Sequence, residues 1–319
     1  MIEAMKGYRS RLTRREFVAR CAGLAGAAAL SGLPVKALAG PAARGPRSGS
    51  TVRTPHDLIV ARGDDPAALT RKAVEAMGGM GKFVRRGATV VVKPNMAWDR
   101  APELAGNTNP AVVAAVVTMC LEAGAKRVNV FDRSCNTPKR CYEVSGIRAA
   151  AEARGAKVYF VDDWNAVKVS LPGDSPMNDW PVFRDAVECD TFINVPVLKH
   201  HELTGVTLSM KNLMGVCLGD RGGIHNGIGR RLADMAAYIR PDLTIIDAYR
   251  VLTAHGPSGG DPADVALRKT VIVGTDPVLA DTFAADFFGL KPLEVPYIAE
   301  AAARRQGKTD LKAARIRSL

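Results

Sequence analysis

The side chains best suited to chemistry gather in one stretch, Asp190 to Asn226. It holds three of the five histidines, His200, His201 and His225, together with Lys199, Lys211, Asn212 and Arg221. Lys211 lies inside the apolar segment Val206 to Cys217, and a lysine in such a run is costly unless it is paired or its pKa falls. A lysine of that kind can form a Schiff base, act as a base or bind an anion. A structural ion pair is the other reading. Imidazole titrates near neutral pH, so His200 or His225 is the acid or base to set beside Lys211.

Lys93 and Lys199 each follow a β-branched run. If their strands are neighbours, two ammonium groups meet at one mouth, where a carboxylate or phosphate gains two charge-assisted hydrogen bonds. Alternatively, both lysines simply reach solvent at the sheet rim. Asn95, His201, Asn212 and Arg221 complete the candidate substrate-binding set. His200, His225, Asp247 and His255 offer nitrogen and oxygen donors for a divalent metal. No close-spaced ligand motif backs that set, and each histidine reads equally well as a satisfied loop residue. The loops Gly219–Gly223 and Gly256–Gly260 could close over a ligand or be plain turns, and neither fits a P-loop or dinucleotide fingerprint.

The elements that must carry these residues alternate. Strands are expected at His56–Ala61, Ala88–Val92, Arg127–Phe131, Lys157–Val161, Thr191–Leu198, Leu243–Asp247 and Arg268–Val273. Helices are expected at Pro66–Met77, Pro110–Ala123 behind an Asn109 cap, Glu143–Ala153, Arg230–Ile239 and from Pro277 through Phe288. This order predicts an α/β fold: a mostly parallel sheet with helices on both faces, in Rossmann-like layers, as one large domain or two intimate subdomains. Lys93, Lys199 and Asp247 then fall at strand exits, where open α/β sheets bind ligands. Asp162–Glu188, rich in Trp and Pro, reads as a hairpin or an excursion over the sheet.

The chain has 319 residues, 47% hydrophobic and 24% charged, which is a globular composition. Its formal charge is +12, and residues 1–39 contribute an excess of five, leaving about +7. That balance suits a small anionic molecule. Nucleic acid is disfavoured, because no basic run is interleaved with aromatics.

Residues 1–39 read as a targeting segment rather than as fold. Thr13-Arg14-Arg15-Glu16-Phe17-Val18, the apolar run Ala22 to Leu33 and the small-x-small end Ala37-Leu38-Ala39 resemble a twin-arginine export signal. The apolar run is too short for a bilayer span of about 20 residues, so no stable membrane span is expected. The resemblance implies the twin-arginine translocase as an export partner and a periplasmic or otherwise extracytoplasmic location. It also favours a cofactor or metal inserted before export, of an identity the sequence leaves open. Residues 40–54 read as a flexible leader and 55–319 as the α/β domain. No C-x-x-C occurs, so a ferredoxin-type iron–sulfur cluster has no support. Of the five cysteines beyond residue 39, Cys135 and Cys141 are the nearest pair, and their connectivity is open.

A larger resemblance rests on Val92-Lys93-Pro94-Asn95, on Asn194 to His201 and on Ser209-Met210-Lys211-Asn212-Leu213-Met214-Gly215. It extends to Arg240-Pro241-Asp242-Leu243-Thr244-Ile245-Ile246-Asp247, Gly256-Pro257 and Gly274-Thr275-Asp276-Pro277-Val278. In these motifs, spread from about Leu58 to Leu290, the chain resembles the domain-of-unknown-function 362 family. The order and approximate spacing of His201, Lys211 and His225 are also similar to those of nickel-pincer lactate racemases. That likeness implies a cofactor-bearing role for Lys211, although Ser209 and Met210 stand where that family has glycines.

These residues lead to two expectations. One is an exported enzyme acting on a small anionic substrate by redox or isomerase chemistry with a metal or bound cofactor, Lys211 working with His200 or His225. The other is a non-catalytic binding or cofactor-maturation protein that uses the same basic pocket.

Overall fold

The computed structural model describes residues 42–49 and 51–319. The export signal expected at residues 1–39 lies outside them. In chain order the strands are β1 (Ala43–Arg44), β2 (Leu58–Arg62), β3 (Thr89–Pro94), β4 (Arg127–Val130), β5 (Lys157–Val158), β6 (Ala166–Val169) and β7 (Pro181–Phe183). They continue with β8 (Thr191–Val195), β9 (Val197–His201), β10 (Gly205–Thr207), β11 (Leu243–Leu252), β12 (Val265–Gly274) and β13 (Ile316–Ser318).

The main sheet runs in the order β13-β2-β12-β11-β8-β3-β4-β5. From β11 through β8, β3 and β4 to β5 every pairing is parallel, as is that of β13 with β2. β12 runs antiparallel to both neighbours. The fold is thus α/β and mostly parallel, and residues Ala43–Leu319 form one compact unit.

Alternation along the strands builds two cores. Val90 and Val92 point to one face, where Ile193, Val195, Ile245 and Val273 meet the helices Pro66–Ala76 and Pro110–Glu122. Val91 points to the other, with Phe192, Ile246 and Ile272, against the helices Ile228–Ile239, Pro277–Ala285 and Pro296–Ala303. Burying each such side chain contributes roughly 1.5–3 kcal/mol. Strands covered on both faces must be apolar throughout, hence the β-branched runs.

Helix starts are set by capping carboxylates and amides. Asp65 accepts from the N–H groups of Ala67 and Ala68, Asn109 from that of Ala111, and Asp276 from those of Val278 and Leu279. A proline follows each cap, where its missing N–H costs nothing. The helix expected over Glu143–Ala153 is two helices, Pro138–Val144 and Ile147–Glu152. Gly146, at φ 69°, takes the left-handed turn between them.

Two further elements bear on the site. β6 and β7 form an antiparallel hairpin, and β1 joins β6 in parallel, so the stretch expected to be a leader contributes a strand. Arg47 in that stretch is buried and ion-paired to Asp242 at 3.0 Å. The run Thr191–Leu198 is not one strand, because Pro196, which has no N–H to give a ladder, separates β8 from β9. Lys199, His200 and His201 therefore lie within β9, which pairs with β11 on one side and folds back onto β10 on the other.

Candidate functional site

A cavity of about 530 Å³ opens beyond β3, beside the β9–β10 hairpin. Lys93, Asn95, Lys199, His201, Lys211, Asn212, Arg221 and His225 line it, so eight of the nine residues expected to bind substrate or catalyse converge. His200 does not. Its Nδ1 accepts the N–H of Gly256 at 3.1 Å, while strand alternation turns His201 toward the cavity instead.

Lys93 leaves β3 fully buried and forms an ion pair with Asp132 at 2.8 Å, both side chains being about 1–2% exposed. Its Nζ also donates to Asn212 Oδ1 at 3.0 Å. Burial pulls the Lys93 pKa down and Asp132 pulls it back up. The expected role of Lys93 as a free anion clamp is thus corrected, since its charge is answered by a carboxylate the sequence reading did not include. Asp132 Oδ2 in turn accepts the N–H of Met96 at 2.6 Å. Gly215 lies so close that a Cβ there would collide with Asp132 Oδ1 and with Lys93 Nζ.

Asn212 and Asn95 spread this network. Asn95 Nδ2 donates to Asn212 Oδ1 at 3.1 Å, and Asn212 Nδ2 donates to Asn194 Oδ1 at 2.9 Å. Lys199 Nζ donates to Gly106 O at 2.6 Å, Pro257 O at 2.9 Å and Asn95 Oδ1 at 3.3 Å, and it stands 5.9 Å over the Trp98 ring. Burial draws its pKa down to about 7, with the Lys211 charge adding to the effect. Three oxygen acceptors occupy three N–H bonds, so the pocket is built around the protonated amine. These acceptors favour the charged form against the burial that draws its pKa down, so Lys199 is a positioned cation rather than the free amine of the site.

Lys211 is different. It rides on the short helix Ser209–Asn212, whose start is held by Asp281: one carboxylate oxygen accepts from Ser209 N at 2.8 Å and Ser209 Oγ at 2.5 Å, the other from Met210 N at 3.0 Å. The Lys211 side chain is nine-tenths buried, and among the described residues its Nζ meets only Met214 Sδ, at 3.4 Å, a weak acceptor. Burial lowers its pKa to about 8, with Arg221 adding to the fall. His201, 8% exposed, is pushed down to about 3 by burial and by the Lys211 and Lys199 charges, so its ring is neutral. The Leu203 N–H donates to His201 Nδ1 at 3.2 Å, which leaves the proton on Nε2.

Arg221 crosses the mouth, donating to Arg133 O, to Ser134 O at 3.3 Å and to Cys135 Sγ at 3.1 Å. His225 is exposed and bonded to Gly222 O at 2.9 Å. Asp132, Arg133, Trp98, Cys135 and Met214 also line the cavity, and the sequence reading missed them as site residues. Asp132 stands two residues past the end of β4 and could have been found by the strand-exit argument that singled out Lys93.

The four-residue metal set does not come together. Asp247 lies inside β11, which runs on to Leu252, and its carboxylate accepts the N–H groups of Asn109 and Tyr249 at 2.7 and 3.0 Å. His255 is exposed and paired with Asp264 at 2.9 Å. Among the described residues no three His, Cys, Asp or Glu side chains stand close enough to share a metal ion. Nor is any disulfide formed there: Cys120, Cys135, Cys141, Cys189 and Cys217 are free.

Taken together, the layers and the cavity define an α/β protein with a cationic, lysine-centred pocket beside its parallel strands. The chain belongs to the family described as a domain of unknown function (DUF362), whose profile matches residues 90–286. A thylakoid-associated protein of Synechocystis sp. is 30% identical over 240 residues, covering 73% of each chain. Among solved structures, the lactate racemase apoprotein from Thermoanaerobacterium thermosaccharolyticum is similar at a TM-score of 0.47 and 13% identity, over 76% of this chain and 61% of that one. A protein from Thermotoga maritima is similar at 0.40 and 15%, over 71% of this chain and 60% of that one. The chain thus spans about three-fifths of the length of these two structures, and neither likeness bears on the chemistry of the site. No helix among the described residues is long and apolar enough to cross a membrane.

Proposed function

We propose that this chain is an enzyme acting on a small anionic substrate, of the isomerase or oxidoreductase class, in which Lys211 moves a proton or adds to a carbonyl. The observation that carries the reading is the Lys211 amine: buried, drawn down to about 8, without an acidic partner among the described residues, and open to the cavity. An amine poised near neutrality is what proton transfer or Schiff-base chemistry needs. Arg221 and Lys199 supply positive charge for the substrate's carboxylate, and the neutral His201 offers an Nε2–H to a developing negative oxygen. At about 530 Å³ the cavity exceeds the needs of a three-carbon acid and leaves room for a bound cofactor beside it. A divalent ion held by protein side chains alone does not fit the described donors, and no step is assigned to one.

The export reading is part of the same proposal. It rests on Thr13 to Val18 and on Ala37-Leu38-Ala39. Mass spectrometry of the protein from cells with and without a twin-arginine translocase tests it; a chain uncleaved after Ala39 in both removes it.

The activity is tested by solvent-deuterium exchange into a panel of 2-hydroxy and 2-oxo acids, followed by NMR. Wild-type protein purified from the cytoplasm should label at least one acid, and Lys211→Ala should lose about a hundredfold or more. Native mass spectrometry of the same sample reports any group already bound. Binding of acids without exchange would leave the non-catalytic holder as the reading.

A further inference from the structure

The reaction proposed above uses Lys211 and leaves one nucleophile of the cavity idle. Cys135 is exposed, whereas the other cysteines among the described residues, Cys120, Cys141, Cys189 and Cys217, are buried. Its loop follows β4 and is pinned by the Cys135 N–H donating to Ala97 O at 2.8 Å. Its sulfur accepts from Arg221 Nη2 at 3.1 Å. Lys199 and Lys211 are near enough for a negative charge on Cys135 to raise both their pKa values. A second observation points to a ligand there: Lys211, 7% exposed, brings an ammonium with no carboxylate partner among the described residues to the same cavity.

We propose that Cys135 is a second reactive group of this site, which with Arg221 and Lys211 forms a subsite for carboxylates that carry an electrophilic carbon, 2-oxo acids being the simplest class. The proposal rests on the reading of the cavity as an anion site. Arg221 and Lys211 hold the carboxylate, and the sulfur faces the neighbouring carbon. With a 2-oxo acid the Sγ–C bond forms, the carbonyl π bond breaks, and the proton lost by the thiol ends on the carbonyl oxygen. The product is a hemithioketal, no oxidant or reductant is consumed, and the step reverses. The four buried thiols take no part, because burial raises the pKa of each and closes it to reagents.

The experiment compares alkylation of Cys135 in the full chain by iodoacetate and by iodoacetamide, followed at that peptide by mass spectrometry. In each case an Sγ–C bond forms and iodide leaves, so the two reagents differ chiefly in charge. Relative to the rate ratio for glutathione, iodoacetate should be favoured at Cys135 by about tenfold or more, and added salt should weaken the preference. Arg221→Gln and Lys211→Met should each lower it, and pyruvate should protect. A wild-type ratio no higher than that of glutathione overturns the proposal without needing either variant to fold. Trp98 lines the same cavity, so quenching of tryptophan fluorescence by pyruvate in Cys135→Ser separates the two readings. With a glutathione-like ratio, quenching there sinks the thiol subsite alone, and no quenching sinks the anion cavity with it.

Discussion

Lys93 and Asp132 form a fully buried ion pair, 2.8 Å apart, in the wall of the cavity. Removing one partner strands the other charge in a medium that cannot solvate it, whereas removing both does not. Asp132→Asn should therefore destabilise the protein by about 3–5 kcal/mol. The double variant Lys93→Met, Asp132→Asn should recover a good part of that. Urea unfolding of the three proteins checks the pair, and additive losses would refute the coupling.

The closeness of Gly215 to that pair makes a second prediction. A methyl at this position collides with the Asp132 carboxylate and the Lys93 ammonium, and shifting either one disturbs the buried ion pair. Gly215→Ala should cost about 2–4 kcal/mol in thermal unfolding. Gly81→Ala, where nothing lies within 4 Å of the added carbon, should stay within about 0.5 kcal/mol of wild type.

For Lys211, stability and reactivity should share one titration. Its folded pKa is about 8 against an ordinary 10.5, so between those values the unfolded chain binds more protons. Stability therefore rises with pH across that window as the cost of burying the charge is relieved, and below about 8 the cost is present in full. Lys211→Met should flatten that part of the stability curve. Acylation of Lys211, followed by peptide mass spectrometry, should reach half its limiting rate near pH 8; a midpoint near 10.5 would contradict the buried amine.

The histidines should separate by NMR. His201, held near 3 by burial and by neighbouring cations, should show a flat ring shift from pH 5 to 8. His255, whose pKa is raised by Asp264, should titrate above the ordinary histidine value. A His201 midpoint near 6.5 would place it in solvent, outside the site.

Much of this arrangement was legible in the sequence, for reasons that can be named. Period and capping marked the layers, because strands covered on both faces must be apolar throughout and Asp65, Asn109 and Asp276 each precede a proline. Residue type marked Lys211, since a lysine within an apolar run needs an explanation. The choice of His200 over His201 failed on a single-residue phase: Pro196 restarts the strand, and alternation from there turns the second imidazole inward. Asp247 misled because β11 continues five residues past it. The Lys93–Asp132 pair joins residues 39 apart, and a contact across neighbouring strands has no local signature. Nor did composition show that Arg47, in a Gly- and Pro-rich stretch, pairs with Asp242.

The ammonium of Lys199 has one more consequence. Its three acceptors come from separate stretches of chain, around Asn95, Gly106 and Pro257, which it fastens at a single atom like a rivet through overlapping plates. Those stretches therefore cannot loosen one at a time without leaving a cation or a carbonyl bare. The rim of the hollow breathes as one piece, and whatever enters must either thread past it or lift the whole edge together.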